Sequence, residues 1–437
     1  MKSPMHALAF RRQPLVAIAW FLLATFALSA QTSKTVAIRA GKLIDGRGGP
    51  PISDAVIVVK DDKIVSVTPH GSVPTDAQLI DLARATILPG LIDAHTHIFL
   101  QGDPTAADYA DQLLKESIPY RAILAARNVG IALDHGFTTL RDLETEGAMY
   151  ADVDVKTAIE RGEIPGSRLF VATRAMAPTG MYPLQGYSWE LNLPHGVQVV
   201  DGVENARLAV REQVAYGADW IKFYADRRAH FTPDGALHSD VNFTADEARA
   251  IADEAHRLGH QVAAHAVGEE GIAAALDAGV DSIEHGIAFN DALLDRALAQ
   301  GVYWIPTAMT ISHATADGKP DGGPMGAAQK QAFAKALRKG VKIVFGTDAG
   351  GFAWTQKNEA IEFQLYVAYG MTPMQAIQTA TISAAQLLGW SDRLGTIEPG
   401  KLADIVAVAG DPLADIRELQ NVQFVMKQGV VYKNDLK

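Results

Sequence analysis

The chain has 437 residues, 48% hydrophobic and 20% charged, with 39 lysines and arginines against 50 acids and a formal charge of −11. That composition is globular, long enough for one large α/β barrel or two to three smaller domains, and it excludes a disordered or collagenous chain. The absence of cysteine excludes a disulfide scaffold, a thiol nucleophile and a thiolate zinc site, while the acidic balance argues against a sequence-independent nucleic-acid binder.

Lys2, Arg11 and Arg12 precede an apolar run from Leu15 to Leu28, which ends in Ser29-Ala30-Gln31. A basic start, an apolar middle and a small-residue exit read as a secretory signal over residues 1–30, cleaved after Ala30. The run is shorter than the roughly 20 residues a bilayer span requires, although a retained membrane anchor is the alternative reading. Removing residues 1–30 takes three cations and no acid, which leaves a charge of −14. The expectation is an exported protein, periplasmic or secreted, with no membrane attachment after cleavage.

From Thr35 to about Thr86 the pattern is short and alternating, as in Ala55-Val56-Ile57-Val58-Val59 and Lys63-Ile64-Val65-Ser66-Val67. Turn residues separate these runs, so they predict antiparallel strands. Between about Ile87 and Trp390 the rhythm changes to short apolar runs alternating with helical stretches. The runs include Phe170-Val171-Ala172, Trp220-Ile221-Lys222-Phe223, Gln261-Val262-Ala263-Ala264, Tyr303-Trp304-Ile305 and Ile343-Val344-Phe345. Thr244 with Glu247 predicts a capping box, and Gly259 the stop, of one intervening helix; Thr372-Pro373 opens another. About eight βα units in this stretch suit a parallel barrel. The C-terminal runs Asp404–Val408, Val422–Met426 and Gly429–Tyr432 return to strand texture. The predicted architecture is a (β/α)8 TIM-type barrel over residues 88–390, with a small β-sandwich domain built from residues 31–87 and 391–437.

Three segments, residues 176–199, 310–327 and 349–357, follow predicted strands and resist the βα pattern, where barrel enzymes build binding sites. The first carries Tyr182, Tyr187, Trp189 and His195, and the third carries Trp354. Ordinary surface loop is the alternative for each.

The sharpest local signal is Gly90-Leu91-Ile92-Asp93-Ala94-His95-Thr96-His97. Residues two apart on a strand point the same way, so His95 and His97 can offer two imidazoles to one ion. His265 follows a buried-looking strand and reads either as a ligand or as a satisfied core histidine. His285 and Asp348 end two further short strands, and a carboxylate at such a position needs a metal or a hydrogen-bond partner. Lys222 lies inside Ala218-Asp219-Trp220-Ile221-Lys222-Phe223-Tyr224, a strand expected to be buried on both faces. By alternation Trp220, Lys222 and Tyr224 share one face. The lysine can snorkel to the barrel mouth, pair with an acid, or have reacted with CO₂ to give a carbamate able to bridge two cations.

The order HxH, Lys, His, His, Asp on successive barrel strands resembles the metal-dependent amidohydrolase superfamily. Within it, the chain is similar to the imidazolonepropionase-like branch that contains Xaa-Pro dipeptidases, carboxypeptidase-like enzymes and bacterial ochratoxin-degrading amidohydrolases. The resemblance runs from about Val36 to Val431 and includes Leu88–His97, Gly136-Phe137-Thr138-Thr139-Leu140-Arg141-Asp142 and Gly395–Asp404. It implies that His95 and His97 bind the more buried metal and that His265 and His285 bind the more exposed one. It further implies that carbamylated Lys222 bridges both ions, with Asp348 completing the first site and serving as catalytic base. Two divalent ions, zinc by choice with manganese or cobalt as fits, are the implied cofactors, and a homo-oligomer is the implied assembly.

The implied reaction is hydrolysis of an amide next to a C-terminal amino acid, in a small-molecule amide or dipeptide. Tyr224, Arg227, Arg228, His195 and Trp354 are the candidate substrate contacts, the arginines being suited to a carboxylate. A solvated surface pair is the alternative for the two arginines. Lactone or phosphotriester hydrolysis on the same metals is a second reading. A secreted binding protein with structural metals is a third, of another class.

Overall fold

The computed structural model describes residues 34–102, 107–184, 186–311, 322–356 and 358–436; the predicted signal over residues 1–30 lies outside them, as does part of the 310–327 segment. Eight short parallel strands carry the centre of the chain: β1 (Leu91–Thr96), β2 (Phe137–Asp142), β3 (Arg168–Val171), β4 (Trp220–Tyr224), β5 (Gln261–Ala266), β6 (Ser282–His285), β7 (Tyr303–Ile305) and β8 (Lys342–Ile343). Laddering joins β1 to β2 to β3, and separately β4 through β5, β6 and β7 to β8. Backbone bonds link the two groups: Asp219 N–H donates to Val171 O at 2.8 Å on one side, and on the other Ala94 N–H donates to Phe345 O at 3.0 Å and Asp348 N–H to His95 O at 2.8 Å. The chain is a TIM-type barrel.

Alternation along the strands sorts their side chains. On β4, Trp220 joins an interior cluster with Ile92, Ala94, Ala263, Ile305 and Val344, while Ile221 and Phe223 pack outward against the helical layer. The helix Ala245–Arg257 begins at the capping box of Thr244 and Glu247, with Ile251 and Ala255 buried, and Gly259 follows it at φ +83°. The helix Pro373–Thr379 has its own box, in which Thr372 Oγ1 accepts from Gln375 N–H.

Both chain ends enter one seven-stranded sheet. Its strand Gln78–Pro89 runs parallel to Thr35–Leu43 and antiparallel to Ile405–Val408, so N- and C-terminal segments share one ladder. Ile38, Ile57, Ile87, Ala407 and Phe424 form its own apolar core. The sheet is tied to the barrel by Arg168 of β3, whose guanidinium meets Asp404 at 2.7 Å and Thr139 Oγ1 at 2.8 Å, all buried. Asp404 also accepts from Gln428 N–H at 2.9 Å.

Asp404→Ala strands a buried guanidinium, so it should cost about 3 kcal/mol of stability. Asp81→Ala, at the exposed pair with Arg39, should cost under about 1 kcal/mol. Chemical denaturation compares them; equal losses would contradict the tie.

Candidate metal centre

The barrel strands bring His95, His97 and Asp348 together at their C-terminal ends. His95 Nε2 and His97 Nε2 are 3.3 Å apart, and Asp348 Oδ1 stands 3.5 Å from the first and 3.1 Å from the second. Four ligands at zinc distances of 2.0–2.1 Å are separated by about 3.3–3.4 Å along the edges of a tetrahedron, so these three atoms suit one ion. The rings of His285 and His265 continue the cluster: His95 to His285 is 5.0 Å between centroids, and His285 to His265 is 4.6 Å.

Each imidazole is oriented from behind. His95 Nδ1 lies 2.7 Å from Glu284 Oε2, and His97 Nδ1 lies 3.4 Å from the Glu144 carbonyl. His285 Nδ1 lies 2.7 Å from Thr307 Oγ1, whose own proton goes to Pro306 O. All three partners accept, which assigns the proton to Nδ1 and leaves Nε2 free for an ion. His265 is reversed: its Nε2 faces Asp226 Oδ1 at 3.6 Å, which leaves Nδ1 free for an ion. Asp226 is itself held by Ser239 Oγ at 2.6 Å and by the backbone N–H groups of Val267 and Gly268.

Burial pushes the pKa of His95 and His265 well below the ordinary histidine value, and that of His285 down to about 4, so their lone pairs stay available near neutral pH. Burial opposes ionisation of Asp348, but His95 and His97 outweigh it and hold the carboxyl below its usual range. Neutral imidazoles around an ionised carboxylate are a donor set suited to Zn²⁺.

Backbone conformation explains how adjacent residues both reach the centre. His285 and Asp348 adopt left-handed φ values of +70° and +59°. Such φ values are rare outside glycine and cluster at functional sites. At His285 the turn breaks strand alternation, so Glu284 supports His95 while His285 also faces the cluster. Gly286 follows at φ +55°, where a Cβ would meet Trp304 Nε1 at 2.4 Å.

Lys222 is 1% exposed, and among the described residues no carboxylate lies within ion-pair distance of it. Burial lowers its pKa, against the opposing pull of Glu284, Glu144 and Asp348. Its amine stands 5.7 Å from the centre of the Tyr224 ring, which also meets the His265 ring at 4.8 Å between centroids.

The candidate substrate contacts divide. Arg227 rests on the rings of Tyr182 and Tyr224, at 4.0 and 5.4 Å. Tyr224 donates its hydroxyl to Glu144 Oε2 at 2.5 Å. Arg228 is exposed and stands 3.7 Å from Asp240, and His195 is exposed in its loop. Trp354 is buried and donates to the His97 carbonyl at 3.3 Å, so it supports a ligand strand from behind. Of the remaining aromatic residues, Tyr182 is buried beside the centre, while Tyr187 and Trp189 are exposed.

Residues outside the sequence-predicted set support the centre. Arg141 donates to Glu284 Oε1 at 2.9 Å, to Ser282 Oγ at 3.1 Å and to Ala94 O at 2.6 Å, and stacks on Trp220 at 4.4 Å. Asp93, whose pKa burial raises to about 8, accepts from Thr347 Oγ1 at 2.5 Å and His95 N–H at 3.1 Å. Glu144 and Glu146 are buried directly after β2. Alternating acids continuing past a barrel strand, in Asp142-Leu143-Glu144-Thr145-Glu146, were the available signal.

A model of the amidohydrolase family matches residues 86–432. The chain belongs to the amidohydrolase family. It is 30% identical to ochratoxinase of Aspergillus niger, over 93% of this chain and 88% of that one. It is 26% identical to imidazolonepropionase of Deinococcus deserti, over 84% and 88%. A solved Xaa-Pro dipeptidase with methionine bound in its active site is 34% identical, with a TM-score of 0.80 over 92% of this chain and all of that one. The protein is thus a hydrolase acting on amide bonds, in the branch its motifs indicated.

Two outcomes check the centre. Glu284→Gln removes the charge shared by His95 and Arg141, and should weaken metal binding by about ten- to a hundredfold in chelator competition; unchanged affinity would contradict the role given to Glu284. In metal-free protein with isotope-labelled histidine, the rings of His95, His265 and His285 should remain neutral at pH 5.5. Their depressed pKa values keep protons off until well below the ordinary value of about 6.5. Titration near that value would count against their burial.

Proposed function

We propose that this amidohydrolase is a binuclear enzyme that cuts the amide bond of N-acyl amino acids or dipeptides ending in a free carboxylate. Zn²⁺ is the proposed metal, with Lys222 carried as its CO₂-derived carbamate. The observation that carries this reading is Lys222 itself, a buried amine with no ion pair among the described residues, beside two groups of candidate ligands. Desolvation favours its neutral form, which is the form that attacks CO₂, and the carbamate then offers two oxygens where a lone ammonium would be costly.

Bound by these residues, divalent ions supply an activated water and polarise the scissile carbonyl. The chain's own groups do the remainder. Asp348, ionised and within reach of His95 and His97, takes the proton of the attacking water and passes it to the departing amine. Arg227 is the cation offered to the substrate carboxylate, because its guanidinium is held over the rings of Tyr182 and Tyr224 beside the centre. The similarity to ochratoxinase and to the Xaa-Pro dipeptidase supports an amide flanked by a terminal amino acid.

Asp348→Asn should retain metal and lose about 10²–10⁴ in kcat, the usual worth of a positioned acid–base group; near-normal turnover would remove Asp348 as the base. Lys222→Ala should drop metal content below two ions per chain by elemental analysis. Two retained ions would contradict the carbamate.

A further inference from the structure

Beside the metal centre lies a second cluster that the reaction above leaves unused. Glu144 and Glu146 are buried, and each can offer a ligand atom together with His97, all within 4.8 Å of one another. Three phenols surround them. Tyr224 donates to Glu144 Oε2 at 2.5 Å, Tyr109 donates to Glu146 Oε2 at 2.6 Å, and Tyr182 lies 3.3 Å from both Glu146 oxygens. Glu144 Oε1 is buried without a hydrogen-bond partner.

The phenolic protons are therefore directed at carboxylates, and the cluster presents acceptors to anything that enters. Two adjacent buried carboxylates cannot both stay ionised without a compensating positive group. Arg227 lies over the ring faces of Tyr182 and Tyr224, and among the described residues no carboxylate is within ion-pair distance of it. A third metal fits poorly, because His97 directs Nδ1 to the Glu144 carbonyl and Nε2 to Asp348, which leaves no nitrogen for it. An organic cation needs only acceptors, and these are what remain.

We propose that Glu144 and Glu146 form the subsite for a protonated amino group on the acyl side of the substrate, so that dipeptides with a free α-amine are preferred over N-acyl amino acids. In a dipeptide the α-nitrogen lies about 2.5 Å from the scissile carbonyl carbon, from standard bond lengths and angle. A carbonyl bound beside His97 thus brings that nitrogen to the acid pair. The proposal rests on the amide-hydrolase reading above and narrows its substrate class.

The test uses the metal-loaded full chain and two substrates, Ala-Phe and N-propionyl-Phe, which differ only in the amino group. Near pH 7, where an α-ammonium of pKa about 7.7–8.0 is mostly charged, Ala-Phe should be favoured by about ten- to a hundredfold in kcat/KM, the range expected for hydrogen bonds to charged groups. Glu146→Gln and Glu144→Gln should each reduce that ratio, read as the two kcat/KM values within the same variant, by about tenfold or more. A wild-type ratio near one or inverted would overturn the subsite, as would an additional metal ion lost on Glu146→Gln. Because the wild-type ratio needs no variant, misfolding of either substitution leaves the test intact. Cleavage of neither compound would overturn the proposed substrate class, an amide beside a carboxylate-terminal residue, and this subsite with it; equal cleavage of both overturns the subsite alone.

Discussion

The centre depends on a carboxylate that does not face the substrate. Glu284 stands between the Arg141 guanidinium and His95 Nδ1, with all three groups fully buried. An unpaired charge at that depth would cost several kcal/mol, so each member is tolerable only because the others are present. The arrangement fixes which nitrogen of His95 carries the proton, and therefore which one faces the metal position. Because Arg141 also reaches the carbonyl of Ala94 and the hydroxyl of Ser282, the same guanidinium fastens β1 and β6, the strands that deliver His95 and His285. Fold and ligand geometry are thus one constraint.

A graded environment surrounds that anchor. The barrel floor is apolar, built on Ile92, Trp220, Ala263 and Ile305. Above it lie buried ionisable groups whose charges are set by neighbours: neutral imidazoles, an ionised Asp348, and a lysine whose ammonium form is disfavoured. Beyond them stands the acid and phenol cluster of Glu144, Glu146, Tyr109, Tyr182 and Tyr224. Each layer is more polar than the one beneath, so charge collects at the C-terminal ends of the strands, where barrel chemistry is done.

Much of this was legible in the sequence because period and punctuation report it directly. Alternation placed Trp220 and Lys222 on one face of β4, and the capping box at Thr244 marked a helix start to the residue. The grouping of His95, His97 and Asp348, with His285 and His265 beside them, was legible through motif order. Their supports were not, for two physical reasons. The first is that left-handed φ at His285 overrides alternation, so two adjacent residues face the same centre where strand logic allows one. The second is that a lone buried acid such as Asp93 is indistinguishable in sequence from a surface acid; only packing shows that it is enclosed. Arg227 and Arg228 make the same point from the other side. A sequence pair with one chemistry becomes one residue laid on aromatic faces and one turned to solvent, the second at φ +57° in the hairpin of strands Asp226–Phe231 and Leu237–Val241.

The central claim is that Lys222 acts as an anion joining two metal ions. A crystal structure of the wild-type protein, grown with zinc and bicarbonate and measured at the zinc absorption edge, tests it most directly. The account predicts two anomalous peaks, one against His95, His97 and Asp348 and one against His265 and His285, with carboxylated Lys222 between them. One peak beside an unmodified Lys222 would contradict it.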